Sequence, residues 1–111
     1  MLPIPLRLLI HEATLNEVER SDYGAEQDKL IAQLYHVRFE PSTRIVHTAD
    51  NLDVQCVAKL FIDGVSSWPI GVSPSVGNSV IWEGRRYKIQ AIQRLYDDRG
   101  LHHLEVELSD G

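Results

Sequence analysis

The sequence predicts an all-β fold, a small antiparallel β-barrel of about six strands with long loops. Three observations point there. Runs of β-branched and aromatic residues recur at intervals of roughly ten to fifteen residues between turn signals, a spacing typical of sandwiches and barrels. Several of these runs alternate apolar and polar residues with period two, and few stretches carry the i, i+3, i+4 spacing of a helix. At 111 residues the chain is about one domain long, enough to bury a core of its own. Residues 1–111 are therefore expected to form a single domain without a linker.

The first run is Leu8 to Leu15. The second spans Leu30 to Glu40, with Ile31, Tyr35, Val37 and Phe39 on one face and Gln33 as the exception. Pro41 ends it, because proline has no amide proton to give to a ladder. The third, Val54 to Ile62, is the cleanest: Val54, Cys56, Ala58, Leu60 and Ile62 face one way, and Gln55 and Lys59 face the other. Ser79 to Trp82 and Arg86 to Ile92 flank Glu83-Gly84-Arg85, where Gly84 can take the positive φ of a tight hairpin turn. After the turn Asp97 to Gly100, the run His103 to Leu108 sets Leu104, Val106 and Leu108 against His103, Glu105 and Glu107. The last three strands should form a meander. Closing six such strands on one another hides edges that would otherwise invite aggregation.

Three stretches read as long loops: Asn16 to Asp28, Ser42 to Asp53 and Gly64 to Asn78. Loops of this length in a compact domain are uncommon and tend to be functional or to order against a partner. Ser42 to Asp53 has no periodicity and has room for a short helical turn. As a sequence it reads equally well as a mobile connector.

A composition of 43% hydrophobic and 24% charged residues is that of a globular chain and not of a disordered one. The net charge of -5 argues against a module whose main task is gripping DNA, which needs clustered Lys and Arg. The apolar opening Met1 to Ile10 contains two prolines and an arginine and is followed by His11-Glu12, so neither a signal peptide nor a membrane span is expected. The single Cys56 cannot form an internal disulfide and reads as a small core hydrophobe suited to a reducing cytoplasm.

Catalytic, metal and cofactor motifs find little support. His11, Glu12, His102 and His103 are the best candidate metal ligands, yet adjacent strand residues point to opposite faces, and the thiolate patterns of structural zinc are missing. His11-Glu12 begins like a zinc-protease motif, but Leu15 stands where the second histidine belongs. The carboxylate pairs Glu105/Glu107 and Asp97/Asp98 fall on a predicted solvent face and in a turn. No glycine-rich phosphate loop or nucleophile elbow occurs. We expect no catalytic residues, no metal site, no cofactor and no enzyme activity. Trp82 should pack in its hairpin. Trp68, with Pro69 and Ile70 in a polar loop, reads either as an exposed interface anchor or as a cover for one barrel end.

The order of segments resembles that of the phage minor capsid proteins, also described as head completion or head-to-tail stopper proteins of siphophages. The resemblance lies in the opening Ile4 to Leu15, in Asp22-Tyr23-Gly24, in Tyr35 to Ser42 with its Glu-Pro-Ser ending, in Ala58 to Asp63, in the hairpin Gly77 to Ile92, and in the closing strand His102 to Leu108. Together these cover nearly the whole chain. The resemblance implies a structural virion protein, made in the bacterial host cytoplasm, that sits at the head-to-tail connection. Its implied partners are the portal or adaptor ring and tail proteins, with self-association into a ring, packaged DNA in the channel and no membrane. It further implies that Ser42 to Asp53, carrying Arg44, His47, Asp50 and Asp53, matches by position a loop that projects into the channel. With Asp50 and Asp53 beside Arg44 and His47, closure there would be steric and not a basic collar. The competing class is a small barrel binding a ligand or nucleic acid, which would need an aromatic and basic stripe. Tyr35, Phe39, Tyr87 and Arg94 are the candidates, although the three aromatics have the parity of core positions.

Overall fold

The computed structural model describes residues 4–111. Leu6–Leu8 forms one 3-10 turn, and eight strands follow: β1 His11–Arg20, β2 Glu26–Pro41, β3 Ile45–His47, β4 Asp53–Gln55, β5 Ala58–Asp63, β6 Ser79–Trp82, β7 Arg85–Asp97 and β8 Gly100–Asp110. Six of them pair in the order β1-β2-β5-β8-β7-β6. Every pairing is antiparallel, and β6 returns to β1 through Thr14↔Ile81, Leu15↔Val80 and Asn16↔Ser79, so the sheet closes into a barrel. The meander β6-β7-β8 is as the turn signals require. β3 and β4 pair only with each other, as a separate hairpin between β2 and β5.

The core follows from the alternation within each strand. Ala13 and Leu15, Leu34, Val37 and Phe39, Ala58, Leu60 and Ile62, Val80, Tyr87 and Ile89, and Leu104, Val106 and Leu108 converge inside. Leu60 lies across from Phe39 on one side and Val106 on the other. At one end of the barrel, Trp82 stacks on Phe39 at 4.0 Å between ring centroids, with the His11 ring edge-on to the indole. Trp82 thus packs as expected.

Four register shifts interrupt the β1–β2 and β7–β8 ladders, and two of them reset the pattern of the core strands. His36 takes a positive φ of 56°, and the β1–β2 register jumps from Ala13↔Leu34 to His11↔Val37. One extra residue reverses which parity faces inward, so Leu34 is buried before the bulge, and Val37 and Phe39 after it. The expected face of Ile31 and Tyr35 is therefore wrong: both are exposed. A second jump, from Ile89↔Leu108 to Ala91↔Glu107, does the same to β7, where Ile92 packs on the core in place of its odd-numbered neighbours.

The connections also differ from expectation. Asn16 to Asp28 is mostly strand: β1 and β2 run on as a ribbon to a turn at residues 21–25, with Tyr23 98% exposed at its tip. Apart from Val18 and Leu30 the paired residues of the outer ribbon are polar on both faces, which hid its period. It is held by ions. Asp28 accepts from Ser79 Oγ at 2.8 Å and from Arg86, and Glu26 takes Arg86 at 3.2 Å and Lys88 at 3.1 Å. Ser42 to Asp53 contains β3 and the start of β4 in place of a helical turn, and Val54 to Ile62 is two strands broken at Cys56-Val57. Gly64 to Asn78 remains a loop outside the named strands. The Trp82-Glu83-Gly84-Arg85 turn has φ of 49° at Glu83 and 77° at Gly84, the two positive values of a type I′ hairpin.

Candidate functional site

The residues expected to form a channel loop lie on the β3–β4 hairpin. Its register pairs Ile45 with Gln55, Val46 with Val54 and His47 with Asp53. Across that last pair the His47 imidazole and the Asp53 carboxylate meet at 2.9 Å on the exposed surface. Asp50 is exposed in the turn, which Thr48 and Leu52 close through backbone bonds. Ile45 and Leu52 are also exposed, so the hairpin presents an apolar edge with a balanced pair of charges.

Arg44 points elsewhere. The hairpin lies over the outer face of β7 and β8, and Arg44 Nη1 reaches Glu107 Oε1 at 3.4 Å. At the root of the hairpin, Cys56 N–H donates to Arg44 O at 2.8 Å. This cover buries Glu107, an outward-facing residue, to 4% exposure, and it buries Cys56 completely. The expectation of Glu107 on a solvent face is therefore corrected. Cys56 is buried as expected, but beneath the hairpin and not within the main core. Burial, reinforced by the charge of Glu107, pushes its thiol above the usual range and keeps it protonated.

Sequence reasoning missed the ion cluster under the hairpin. Lys59 Nζ lies 3.0 Å from Glu105 and 3.2 Å from Glu107, joining β5 to β8. Hydrogen bonding to Glu105 raises the Lys59 pKa against the opposing effect of burial. Burial would raise Glu105, but hydrogen bonds from His103 and Lys59 outweigh it and lower its pKa. The signal was present in the alternation of β8, because Lys59 stands directly across from Glu107. What was missing was the strand pairing order.

Trp68 sits on the β5–β6 loop and is 57% exposed, and Ile70 near it is exposed too. Its backbone is anchored: Trp68 N–H donates to Tyr35 O at 2.9 Å, and Tyr35 N–H donates to Trp68 O at 2.8 Å. The Trp68-Pro69 peptide is cis. Pro69 lines a mainly apolar hollow of about 240 Å3 with Ile62, Val72, Leu101 and Leu104. Trp68 is thus exposed, and Pro69 and Ile70, not the indole, line this hollow. Hairpin and loop are separate features, lying between β2 and β5 and between β5 and β6.

The candidate ligand histidines behave differently from expectation. His102 and His103 meet through their Nδ1 atoms at 2.7 Å, and His103 Nε2 lies 2.9 Å from Glu105. Side-chain torsions bring together rings that start on opposite faces. His11 Nδ1 accepts instead from Phe39 N–H at 3.0 Å. Among the described residues no group of three or more His, Cys, Asp and Glu is placed to hold a metal ion. No helix among them is long and apolar enough to cross a membrane. Of the proposed aromatic and basic stripe, Phe39 and Tyr87 are in the core, and Tyr35 and Arg94 are exposed.

The barrel thus carries paired charges on its outer face, an overlying hairpin and an exposed tryptophan held by its backbone. A search of curated proteins finds no match to the chain. A family model described as minor capsid protein matches residues 5–108. Since that match spans the barrel, the hairpin and the tryptophan loop alike, the chain belongs to the minor capsid protein family.

Proposed function

We propose that this chain is a structural, non-enzymatic protein of a phage virion, placed at the head-to-tail connection as a head completion or stopper subunit. The observation that carries this reading is the family match over residues 5–108, combined with the β3–β4 hairpin between β2 and β5, where a channel-entering segment is expected. In this role copies of the chain form a ring against the portal or its adaptor, retain packaged DNA and receive the tail. Ring contacts between identical subunits are heterologous, so each copy needs two unlike patches. The polar β1–β2 ribbon and the exposed Trp68 and Ile70 supply two such surfaces. Because Arg44 lies near Glu107 and the hairpin also carries Asp50 and Asp53, it has little net positive charge. Retention of DNA then works by steric closure. Particles assembled without the protein test the role by electron microscopy: leaky or tailless heads are expected, whereas normal infectious particles would refute it.

A further inference from the structure

We propose that the cleft between the β3–β4 hairpin and the β7–β8 ribbon is a receptor for one arginine side chain of an adjoining virion protein, with Glu107 as its acceptor. The assignment to a virion protein rests on the function proposed above; the receptor itself rests on the geometry around Glu107.

Glu107 is 4% exposed, and its two oxygens are used unequally. Oε1 faces both Lys59 at 3.2 Å and Arg44 at 3.4 Å. Oε2 is buried and has no hydrogen-bond partner among the described residues. An ionised carboxylate only accepts, and a buried oxygen without a donor is costly, so this site lacks a donor. Arg44 does not supply it. Its single contact is longer than an ordinary N–H···O bond, and its side chain is 58% exposed, which marks it as loosely held. Oε2 is shielded while Arg44 is in place, so an entering guanidinium must take the position of Arg44 and open the approach to Oε2 to engage both carboxylate oxygens, the stronger bidentate arrangement.

The surroundings select the same chemistry. A cleft of about 350 Å3 opens beside Glu107, bounded by Ile45, Val46 and His47 of the hairpin and by Ala91, Gln93 and Glu105 of the ribbon. Arg44 lines this cleft as well, and once it is displaced an entering anion would meet the carboxylates of Glu105 and Glu107, offset by the Lys59 ammonium alone. A cation meets them favourably, and the apolar walls suit the aliphatic stem of a long basic side chain. Arginine fits better than lysine because a planar fork satisfies two oxygens at once, whereas an ammonium acts as a point charge.

The test uses the purified full chain and three small probes: the N-acetyl amides of arginine, of its neutral isostere citrulline, and of lysine. Backbone amide shifts of Arg44, Gln93, Glu105 and Glu107 are followed by NMR as each probe is added. Saturable shifts with arginine amide and none with citrulline amide are expected. Glu107→Gln should weaken the arginine response about tenfold or more, and Arg44→Ala should tighten it by removing the resident competitor. An equal response to citrulline amide, or one unchanged by Glu107→Gln, would overturn the receptor. Equal binding of lysine amide would overturn the assignment to arginine. Should Glu107→Gln fail to fold, the arginine and citrulline comparison on the unaltered chain still decides. A chain that binds arginine amide but is dispensable for virions would refute the proposed function and leave the receptor standing.

Discussion

Asp63, at the end of β5, gives the sharpest prediction about what holds the loop side of the barrel together. It is 3% exposed, and its carboxylate accepts three backbone amides: Ile4 on Oδ1 at 2.9 Å, and Val65 at 2.9 Å and Ser66 at 2.7 Å on Oδ2. One side chain thus ties the N-terminal segment to β5 and shapes the turn leading to Trp68. Asp63→Asn keeps the shape but turns one acceptor oxygen into a donor, so one or two of these bonds are lost. At about 1.5 to 3 kcal/mol for each hydrogen bond to a charged group, the variant should lose about 2 to 5 kcal/mol. Urea unfolding with an unchanged m-value measures it. The pH dependence adds an independent check. Burial alone would raise the Asp63 pKa, but the amides of Ser66, Ile4 and Val65 outweigh it and the folded value is lowered. A lowered folded pKa contributes stability above the unfolded value that is lost as pH falls through the folded one. The gap between the wild type and Asp63→Asn should therefore be full near neutrality and narrow below about pH 4. A loss under about 0.5 kcal/mol, or a gap that stays constant down to about pH 3, would refute the reasoning.

Leu60→Ala, at a fully enclosed core position between Phe39 and Val106, should cost about 2 to 5 kcal/mol in denaturant unfolding; a loss below about 1 kcal/mol would contradict its place in the core. Deleting Ala49 to Leu52 removes four of the five residues joining β3 to β4 and so disrupts their pairing, but it touches no strand of the barrel, so unfolding should stay cooperative. A broad, non-cooperative transition would mean that the hairpin is part of the barrel's folding unit. Glu83→Asn should stabilise the β6–β7 hairpin by about 0.5 kcal/mol, since Glu83 already holds a positive φ of 49° and Asn-Gly suits a type I′ turn. A drop in melting temperature would argue against that turn.

Much of the barrel was legible because one-sided burial writes period two into a strand. Ala58, Leu60 and Ile62, and Leu104, Val106 and Leu108, alternate without interruption, and all six lie in the core. The Glu83-Gly84 turn was readable because backbone chemistry alone dictates it. The β1–β2 ribbon was not, because residues such as Glu17, Glu19, Gln27 and Lys29 are exposed and leave no alternation to detect. Tyr35 was misplaced because a bulge at His36 reverses parity without any proline or glycine to announce it. Of the functional candidates, the exposure of Trp68 and Ile70 could be read from their polar loop. The inward turn of Arg44 could not. It depends on Glu107, 63 residues away, and on a hairpin folding over a face that alternation alone assigns to solvent.

The account stands or falls on where the protein sits in the particle. Cryo-electron microscopy of intact virions, with density fitted at the junction of head and tail, tests this directly. The account predicts a closed ring of copies at the head-to-tail junction, with the β3–β4 hairpins directed toward its axis. Copies found only in the capsid shell, or no copies in the particle, would contradict it.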